Sequence, residues 1–315
     1  MRVGVFGGAG YIGSHVCLFL RDAGHEVFVF DDLSTGFRKN VSSFPFFEGS
    51  LLDKSSVQEF FSLYPVDAII HLAAKKAAGE SMVALEKYSE QNLVGSINLL
   101  NAAVAAGVSR LVFSSSAAVY GTPQYSPLDE NHPLHPENFY GFTKLEIERL
   151  LDWYRRLQGL DVVSLRYFNA VGYDSRVPCL ERNPQNLFPL LMEAVRDKKS
   201  ITVFGDDYDT PDGTCLRDYV DVRDLARAHV LALGVPSCTV NLGTGRAVSV
   251  REVIDVVSAL YGSFEVVVGE RRTGDPAVVF ASNSLAKEIL GWAPEFVDMK
   301  EIILSMGQAY GLRPQ

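Results

Sequence analysis

Gly7-Gly8-Ala9-Gly10-Tyr11-Ile12-Gly13 follows a short apolar run, Arg2–Phe6, and opens an amphipathic stretch. This G-x-x-G-x-x-G spacing permits a tight strand-to-helix turn and a pyrophosphate at the helix N-terminus. Glycines alone also serve ordinary turns, but Asp31 ends the next apolar run 18 residues beyond Gly13. A carboxylate there hydrogen-bonds the adenosine ribose and repels a 2′-phosphate. The glycine turn and Asp31 together predict a site that binds NAD rather than NADP. The predicted cofactor contacts are Gly7, Gly10, Tyr11, Ile12, Gly13 and Asp31.

Short β-branched runs alternate with longer amphipathic stretches over the first 170 residues. This alternation predicts an α/β fold with a doubly wound parallel Rossmann-type sheet, covered by helices on both faces. The predicted strands are 2–6, 26–31, 44–48, 67–72, 110–114 and 161–167. The predicted helices are 11–23, 54–64, 85–106 and 139–158.

Beyond Gly172 the pattern becomes irregular, with several prolines and an acidic stretch at 206–213. Shorter helices are predicted at 188–198, 220–232, 250–261 and 284–290. We therefore expect two domains, an NAD-binding domain at 1–172 and a smaller α/β substrate-binding domain at 173–315. Segments near 215–245 are expected to pack back on the first domain.

The composition is that of an ordinary globular protein, with 47% hydrophobic and 21% charged residues among 315. A net charge of −9 argues against a nucleic-acid or anionic-membrane surface. The four cysteines and six histidines show no metal-site spacing, and no apolar run approaches the ~20 residues of a membrane span. We expect no metal, no nucleic acid, no membrane partner and a cytoplasmic location.

A candidate reaction centre is formed by Ser116, Tyr140 and Lys144. Ser116 follows the fifth predicted strand, and Tyr140 and Lys144 lie four residues apart on one face of a predicted helix. Ligands of doubly wound sheets bind beyond the carboxyl ends of the strands, where these residues are expected to meet. Because an ammonium favours a phenolate, we expect Lys144 to lower the pKa of Tyr140. Tyr140 would then remove the proton of a substrate alcohol that Ser116 hydrogen-bonds.

Two weaker features fit the cofactor site. Leu72 and Ala73 lie at the end of the fourth predicted strand, where small residues would let a cofactor approach closely. Asn92 lies on the predicted helix 85–106, either as a structural amide or as a cofactor contact.

Six motifs stand out: GGAGYIGSH (7–15), KKAAGES (75–81), SSSAAVYG (114–121), YGFTK (140–144), LRYFN (165–169) and DDYDTPDGTCLRDYVDV (206–222). Through them the chain resembles the extended short-chain dehydrogenase/reductase superfamily and, within it, the UDP-glucose 4-epimerase family. The resemblance implies cofactor contacts at Ser50, Leu51, Lys76, Tyr140, Lys144 and Tyr167. It implies substrate contacts at Ser116, Tyr140, Phe168, Asn169, Asn186, Leu187, Arg217, Arg272, Asp275 and Val279. The two arginines suit a diphosphate, since their planar fork matches phosphate oxygens.

The residues after Ser116 separate related activities. Dehydratases and decarboxylases of the superfamily carry acidic residues there, whereas this chain has Ala117 and Ala118. The alanines favour epimerisation at C4 of a UDP-hexose through a 4-keto sugar, with NAD regenerated. An epimerase of a UDP-pentose or UDP-hexuronate, or another NAD-dependent nucleotide-sugar enzyme, stays open. A non-catalytic NAD-binding protein is disfavoured because Tyr140 and Lys144 are present.

Two positions depart from the family pattern. Ser50 stands where the family usually has an Asp that binds adenine, and Val279 stands where members restricted to non-acetylated sugars have a bulky Tyr. The small valine leads us to expect use of UDP-N-acetylhexosamines as well.

The two long predicted helices carry apolar residues around much of their circumference. The resemblance implies a homodimer joined through such helices, whereas burial within one chain is the alternative.

Overall fold

The computed structural model describes residues 1–178, 186–272 and 274–315. The strands are β1 (Arg2–Phe6), β2 (Glu26–Asp31), β3 (Phe46–Glu48), β4 (Ala68–His71), β5 (Arg110–Ser116), β6 (Asp161–Tyr167), β7 (Asn169–Val171), β8 (Ile201–Phe204), β9 (Leu216–Arg217), β10 (Tyr219–Asp221), β11 (Cys238–Leu242), β12 (Val248–Ser249), β13 (Val266–Gly269) and β14 (Val278–Val279). The α-helices are α1 (Tyr11–Asp22), α2 (Lys54–Leu63), α3 (Ala78–Ser81), α4 (Leu85–Tyr88), α5 (Gly95–Ala105), α6 (Phe139–Gln158), α7 (Leu187–Asp197), α8 (Val222–Ala232), α9 (Val250–Tyr261), α10 (Ser284–Leu290) and α11 (Met299–Ala309). Short 3₁₀ helices cover Arg38–Val41 and Ala117–Val119, and a π-helix covers Ser89–Val94.

A parallel sheet of seven strands, in the order β11-β6-β5-β4-β1-β2-β3, forms the centre of the described fold. Alternate side chains of a strand point to opposite faces. In β2, Val27 and Val29 enter one buried cluster, while Phe28 and Phe30 enter the other. Both faces are buried, which explains the continuous apolar runs. The predicted doubly wound α/β class is confirmed.

Helix α6 begins and ends at its sequence signals. Asn138 Oδ1 accepts the N–H of Gly141 at 2.8 Å and caps the first turn. Gly159 closes the helix in the left-handed region, with φ of 69°. The predicted helix 139–158 is confirmed.

The predicted helix 85–106 is wrong as a single helix, because the π-helix Ser89–Val94 separates α4 from α5. Asn92, within the π-helix, is fully buried and bonds to Lys75 and Thr143. Such tertiary contacts override the regular helical repeat.

Other predicted bounds move for local reasons. β3 begins after Pro45, which has no N–H for pairing, and β5 extends to Ser116, which pairs with Tyr167. The predicted helix 220–232 begins at Val222, because Tyr219–Asp221 form β10 beside β7. The other predicted bounds shift by at most one residue, while α3, α11 and the strands β7–β14 were not predicted.

The C-terminal half contributes to the main sheet. β11 pairs with β6, and α8 packs against α1. Trp292 is fully buried and donates its indole N–H to Asp224 O at 2.9 Å. The boundary between 172 and 173 stays a prediction. Within the described ranges, every helix is too short or too polar to cross a bilayer.

Candidate active site

A cavity of about 470 Å³ opens at the carboxyl ends of β1, β2, β4 and β5. Ligands of doubly wound sheets bind at this edge. The predicted site residues that line it are Gly7, Gly10, Tyr11, Ile12, Gly13, Asp31, Leu51, Leu72, Ala73, Lys76, Tyr140, Lys144, Tyr167 and Asn186. Among the residues that the structure describes, no group of three or more His, Cys, Asp or Glu side chains could hold a metal ion.

The glycine turn brings bare backbone to the cavity wall. Gly7 has φ of 85°, and a Cβ there would lie 2.6 Å from Ala73 N. A Cβ at Gly13 would lie 2.2 Å from Gly7 O. Helix α1 begins directly after Gly10, so its first N–H groups face the cavity edge. The turn fits a dinucleotide pyrophosphate.

The Asp31 carboxylate lines the cavity at the end of β2. Its oxygens accept the N–H of Ala9 at 2.9 Å and of Leu33 at 2.8 Å. Burial raises the pKa of this carboxyl, whereas the two backbone bonds lower it. The bonds orient the carboxylate where an adenosine ribose is expected to bind.

Residues at the end of β5 contact the other side chains of the reaction centre. Ser116 hydrogen-bonds Tyr140, and the Ser114 hydroxyl contacts the hydroxyl of Tyr167. Lys144 Nζ donates to the carbonyl oxygen of Ser114 at 2.7 Å. The structure therefore brings the three predicted catalytic residues together; Tyr140 and Lys144 line the cavity, whereas Ser116 lies outside its described lining.

The ionisation of this centre differs from the prediction. Burial raises the pKa of Tyr140 to about 12, although the Ser116 hydrogen bond acts in the opposite direction. Burial also lowers the pKa of Lys144 to about 7, and Lys144 Nζ lies 5.8 Å from the Tyr140 ring centroid. The predicted fall in the pKa of Tyr140 is wrong for this structure, because lost hydration of the phenol is the largest effect on it.

Ser81 is a positioning group that sequence reasoning missed. Its fully buried hydroxyl accepts the Tyr140 N–H at 3.0 Å and donates to Ala78 O at 2.5 Å. An N–H in the first turn of a helix has no intrahelical acceptor, so Ser81 completes the start of α6. Its place in the KKAAGES motif was the available signal.

Asn92 and Ser50 lie outside the described lining of the cavity. Asn92 Oδ1 accepts the Lys75 N–H at 2.8 Å, and its amide donates to Lys75 O and Thr143 Oγ1, both at 3.0 Å. Both amide hydrogens are used, which favours the structural role that the sequence left open. Ser50 Oγ accepts the Leu52 N–H at 3.2 Å.

Three predicted substrate residues meet in the C-terminal half, two of them on strands and Asp275 in the loop before β14. Arg217 donates to the Asp275 carboxylate and, from Nη1, to Leu216 O at 2.8 Å. Val279 of β14 lies beside Arg217 of β9 in a parallel pair. The salt bridge holds the guanidinium of Arg217 half-buried.

The other predicted substrate residues are dispersed. Arg272 lies over the Phe204 ring at 4.0 Å, and Asn169 Nδ2 donates to Asp218 O at 3.2 Å. Phe168 is buried, and Leu187 begins α7 against the core. Among the predicted substrate residues outside the reaction centre, Asn186 is the one that lines the cavity in the described part of the chain. Residues 179–185, which precede it, lie outside the described chain.

Known proteins resemble this chain over nearly its whole length. The sequence matches the NAD dependent epimerase/dehydratase family over residues 3–243. A UDP-glucose 4-epimerase of Halalkalibacterium halodurans is 39% identical over 312 residues, covering 96% of this chain and 93% of the relative. The structure of UDP-glucose 4-epimerase from Brucella ovis in complex with NAD has a TM-score of 0.96 and 40% identity, covering 100% of this chain and 99% of that one. The enzyme from Stenotrophomonas maltophila, with bound NAD and formylated UDP-arabinopyranose, has a TM-score of 0.94 and 38% identity, covering 99% and 98%. The chain therefore belongs to the NAD dependent epimerase/dehydratase family and, within it, to the UDP-glucose 4-epimerases.

Proposed function

We propose that the protein is an NAD-dependent UDP-hexose 4-epimerase, which interconverts UDP-galactose and UDP-glucose through a transient 4-keto sugar. The observation that carries this proposal is the pair of half-buried Tyr140 and buried Lys144 beside Ser116, at a cavity that fits NAD. Ala117 and Ala118 follow Ser116 and offer no acid or base for eliminating water. The relatives support the substrate class, because a solved neighbour holds both NAD and a UDP-sugar.

Each residue of the centre has a distinct task. NAD, when bound, accepts a hydride from C4 of the sugar and returns it. Ser116 Oγ hydrogen-bonds the 4-oxygen, and Tyr140 Oη takes the 4-hydroxyl proton and later gives it back. The Lys144 ammonium stabilises negative charge at Tyr140 Oη. Because the proton and the hydride both return to the sugar, no net oxidation results.

The test is to follow UDP-galactose by NMR in the presence of catalytic NAD⁺. UDP-glucose should appear without stoichiometric NADH, and Tyr140→Phe should abolish its appearance. Tyr125→Phe is the matched control, since Tyr125 is exposed and bonds Asp129 at 2.9 Å. An untouched sugar, or NADH in proportion to product, would contradict the proposal.

The substrate range is proposed to include UDP-N-acetylhexosamines, because Val279 is small and lies beside Arg217. The alternative is a UDP-pentose or UDP-hexuronate epimerase. The bound formylated UDP-arabinopyranose of the Stenotrophomonas neighbour is a pentose derivative and keeps this alternative relevant. Relative kcat/KM values across hexose, N-acetylhexosamine, pentose and hexuronate substrates decide between them.

We also propose a homodimer joined through α5 and α6. Val94, Phe142, Trp153 and Leu157 are exposed apolar side chains on or beside these helices. Trp153→Glu should shift the mass measured by light scattering towards the monomer. Leu63→Glu is the matched control, because Leu63 is equally exposed, at 56% against 57%, but lies on α2. A monomeric wild type would contradict the proposal.

A cytoplasmic location is proposed from the thiols. Cys17 and Cys215 are buried and unpaired, and Cys238 is half-buried and unpaired. Unpaired thiols suit a reducing compartment. Fractionation of cells that produce the protein tests this location.

A further inference from the structure

Helix α6 carries a third ionisable residue, Glu148, one turn C-terminal to Lys144. Tyr140, Lys144 and Glu148 follow one another at four-residue intervals and therefore share one face of the helix. Arg166 of β6 donates to Glu148 from Nη2 at 2.6 Å and from Nε at 3.0 Å. The two side chains are only 6% and 9% exposed. A charged pair is thus buried one turn beyond Lys144.

Hydrogen bonds connect both members of the pair, Glu148 and Arg166, to neighbouring side chains. The Ser115 hydroxyl donates to Glu148 Oε1 at 2.5 Å, and Ser115 pairs with Arg166 in the register of β5 and β6. Arg166 Nη1 donates to the hydroxyl of Tyr120 at 3.1 Å, which in turn donates to Asn241 Oδ1 at 2.7 Å. The carboxylate is held by three donors, so its position relative to α6 is fixed.

Stability alone is a weak explanation for such a pair. Removing two charges from water costs about as much as their attraction returns, and apolar replacements of similar volume are often neutral or stabilising. The position of the pair offers a better explanation. Its carboxylate lies on the same helix face as Lys144, which is 3% exposed.

The charges around Lys144 give Glu148 a specific role. Burial lowers the pKa of Lys144 to about 7, and the Glu148 charge opposes that fall. His71 packs nearby but is uncharged, because burial lowers its pKa to about 3. Burial also keeps the phenols of Tyr140 and Tyr167 uncharged by raising their pKa. In the described part of the chain, the anion that acts on Lys144 is Glu148.

We propose that Glu148, fixed by Arg166 and Ser115, is a positioning residue that keeps Lys144 protonated beside Tyr140 during proton exchange. This inference rests on the proposed epimerase function. It predicts that the alkaline limb of the pH profile reports loss of the Lys144 proton, and that Glu148 holds this limb at higher pH.

Three variants separate charge from stability in the NAD-loaded enzyme. In Glu148→Gln, the alkaline limb of the kcat profile should move to lower pH by on the order of one unit. At a given alkaline pH, this shift corresponds to about tenfold less protonated Lys144. Glu148→Asp keeps the charge, so its limb should stay near that of the wild type. The double variant E148Q/R166M removes both charges and should recover thermal stability, but its limb should stay low.

A purely structural role predicts a different pattern. Activity would then follow thermal stability in all three variants, and the double variant would regain the wild-type profile. That result would overturn the proposal. Asp224→Asn is the matched control, because Asp224 is also buried against an arginine, Arg227, at 3.0 Å. It should lower stability without moving the limb.

A second measurement does not depend on turnover. Lysine labelled with ¹³C at Cε allows Lys144 to be titrated by NMR, with its signal assigned by its loss in Lys144→Met. Glu148→Gln should lower the observed midpoint of Lys144, and an unchanged midpoint would overturn the inference. If the wild type shows no epimerase activity, the proposed function fails, while this titration still decides the role of Glu148.

Discussion

The reaction centre and the substrate end are built in opposite ways. The centre lies on β5, a strand of seven residues whose five inner positions are buried, and on α6, which is packed against it. The substrate end lies on β9 and β14, strands of two residues each that are half-buried. Arg217 is held there mainly by a salt bridge to Asp275.

This difference assigns the two proposed tasks, proton exchange and substrate selection, to different structural elements. Under the proposed mechanism, proton exchange depends on groups fixed by the central sheet, and a change there disturbs the core. Under the proposed roles, substrate selection depends on short strands of a separate three-stranded sheet, β12-β9-β14, which can change without altering the central sheet. Variants at the centre should therefore affect kcat, and variants at the substrate end should affect KM or selectivity.

The largest effect within this comparison is expected for Ser116→Ala. The variant removes a hydrogen-bond donor to the reacting oxygen, so kcat should fall by about 100-fold with KM little changed. Steady-state kinetics with UDP-galactose measures it. Ser109→Ala, directly before the opposite end of the same strand, is the control and should stay within about twofold. A rise in KM without loss of kcat would break the assignment of Ser116 to the reaction centre.

Arg217→Met should act on binding. Losing a charged hydrogen-bond donor to a diphosphate should raise KM by about 10- to 100-fold, with a smaller change in kcat. Arg21→Met removes the same charge from an exposed position on α1 and should leave KM unchanged. If kcat fell as much as in Ser116→Ala, the two regions would not be separable.

Val279→Tyr should sharpen the comparison further. The added ring should reduce turnover of UDP-N-acetylhexosamines by about tenfold while UDP-hexose turnover changes by about twofold. Val278→Tyr is the control, because neighbouring residues of a strand point to opposite faces. Competition between the two substrates measures the ratio, and equal losses for both would remove Val279 from the selectivity role.

Acid stability should show the smallest difference between the two regions. Burial lowers the pKa of His15 and His229 to about 4 and that of His71 to about 3. An unfolded histidine binds its proton near pH ~6.5, so stability should fall as pH drops from about 6.5 towards 4. His229→Asn should reduce the loss between about pH 6.5 and 5 by about 2 kcal/mol.

Denaturant unfolding at the two pH values measures this change. His135→Asn is the control because His135 is not buried, and it should leave the loss unchanged. An identical pH dependence in wild type and His229→Asn would contradict the role of the buried imidazole.

The predictability of each feature follows the range of the contacts that create it. The glycine turn, Asp31 and helix α6 are set by neighbours in sequence, so local pattern was sufficient for them. The π-helix was not predictable, because Asn92 is held by Lys75 and Thr143, which are 17 and 51 residues away. Ser81 was missed for the same reason, since its partner Tyr140 is 59 residues away. The pKa of Tyr140 depends on burial, which spacing does not reveal. The roles of the individual site residues stay predictions until the variants are measured.

The chain has two tryptophans, and the fold places them in contrasting environments. Trp292 is enclosed in the core, whereas Trp153 is 57% exposed on α6. The molecule therefore carries its own pair of fluorescent reporters. Emission from Trp292 follows loss of the tertiary fold, and emission from Trp153 would follow coverage of α6 in the proposed dimer. Removing Trp153 leaves a clean optical signal for unfolding, so assembly and folding can be observed separately without an added label.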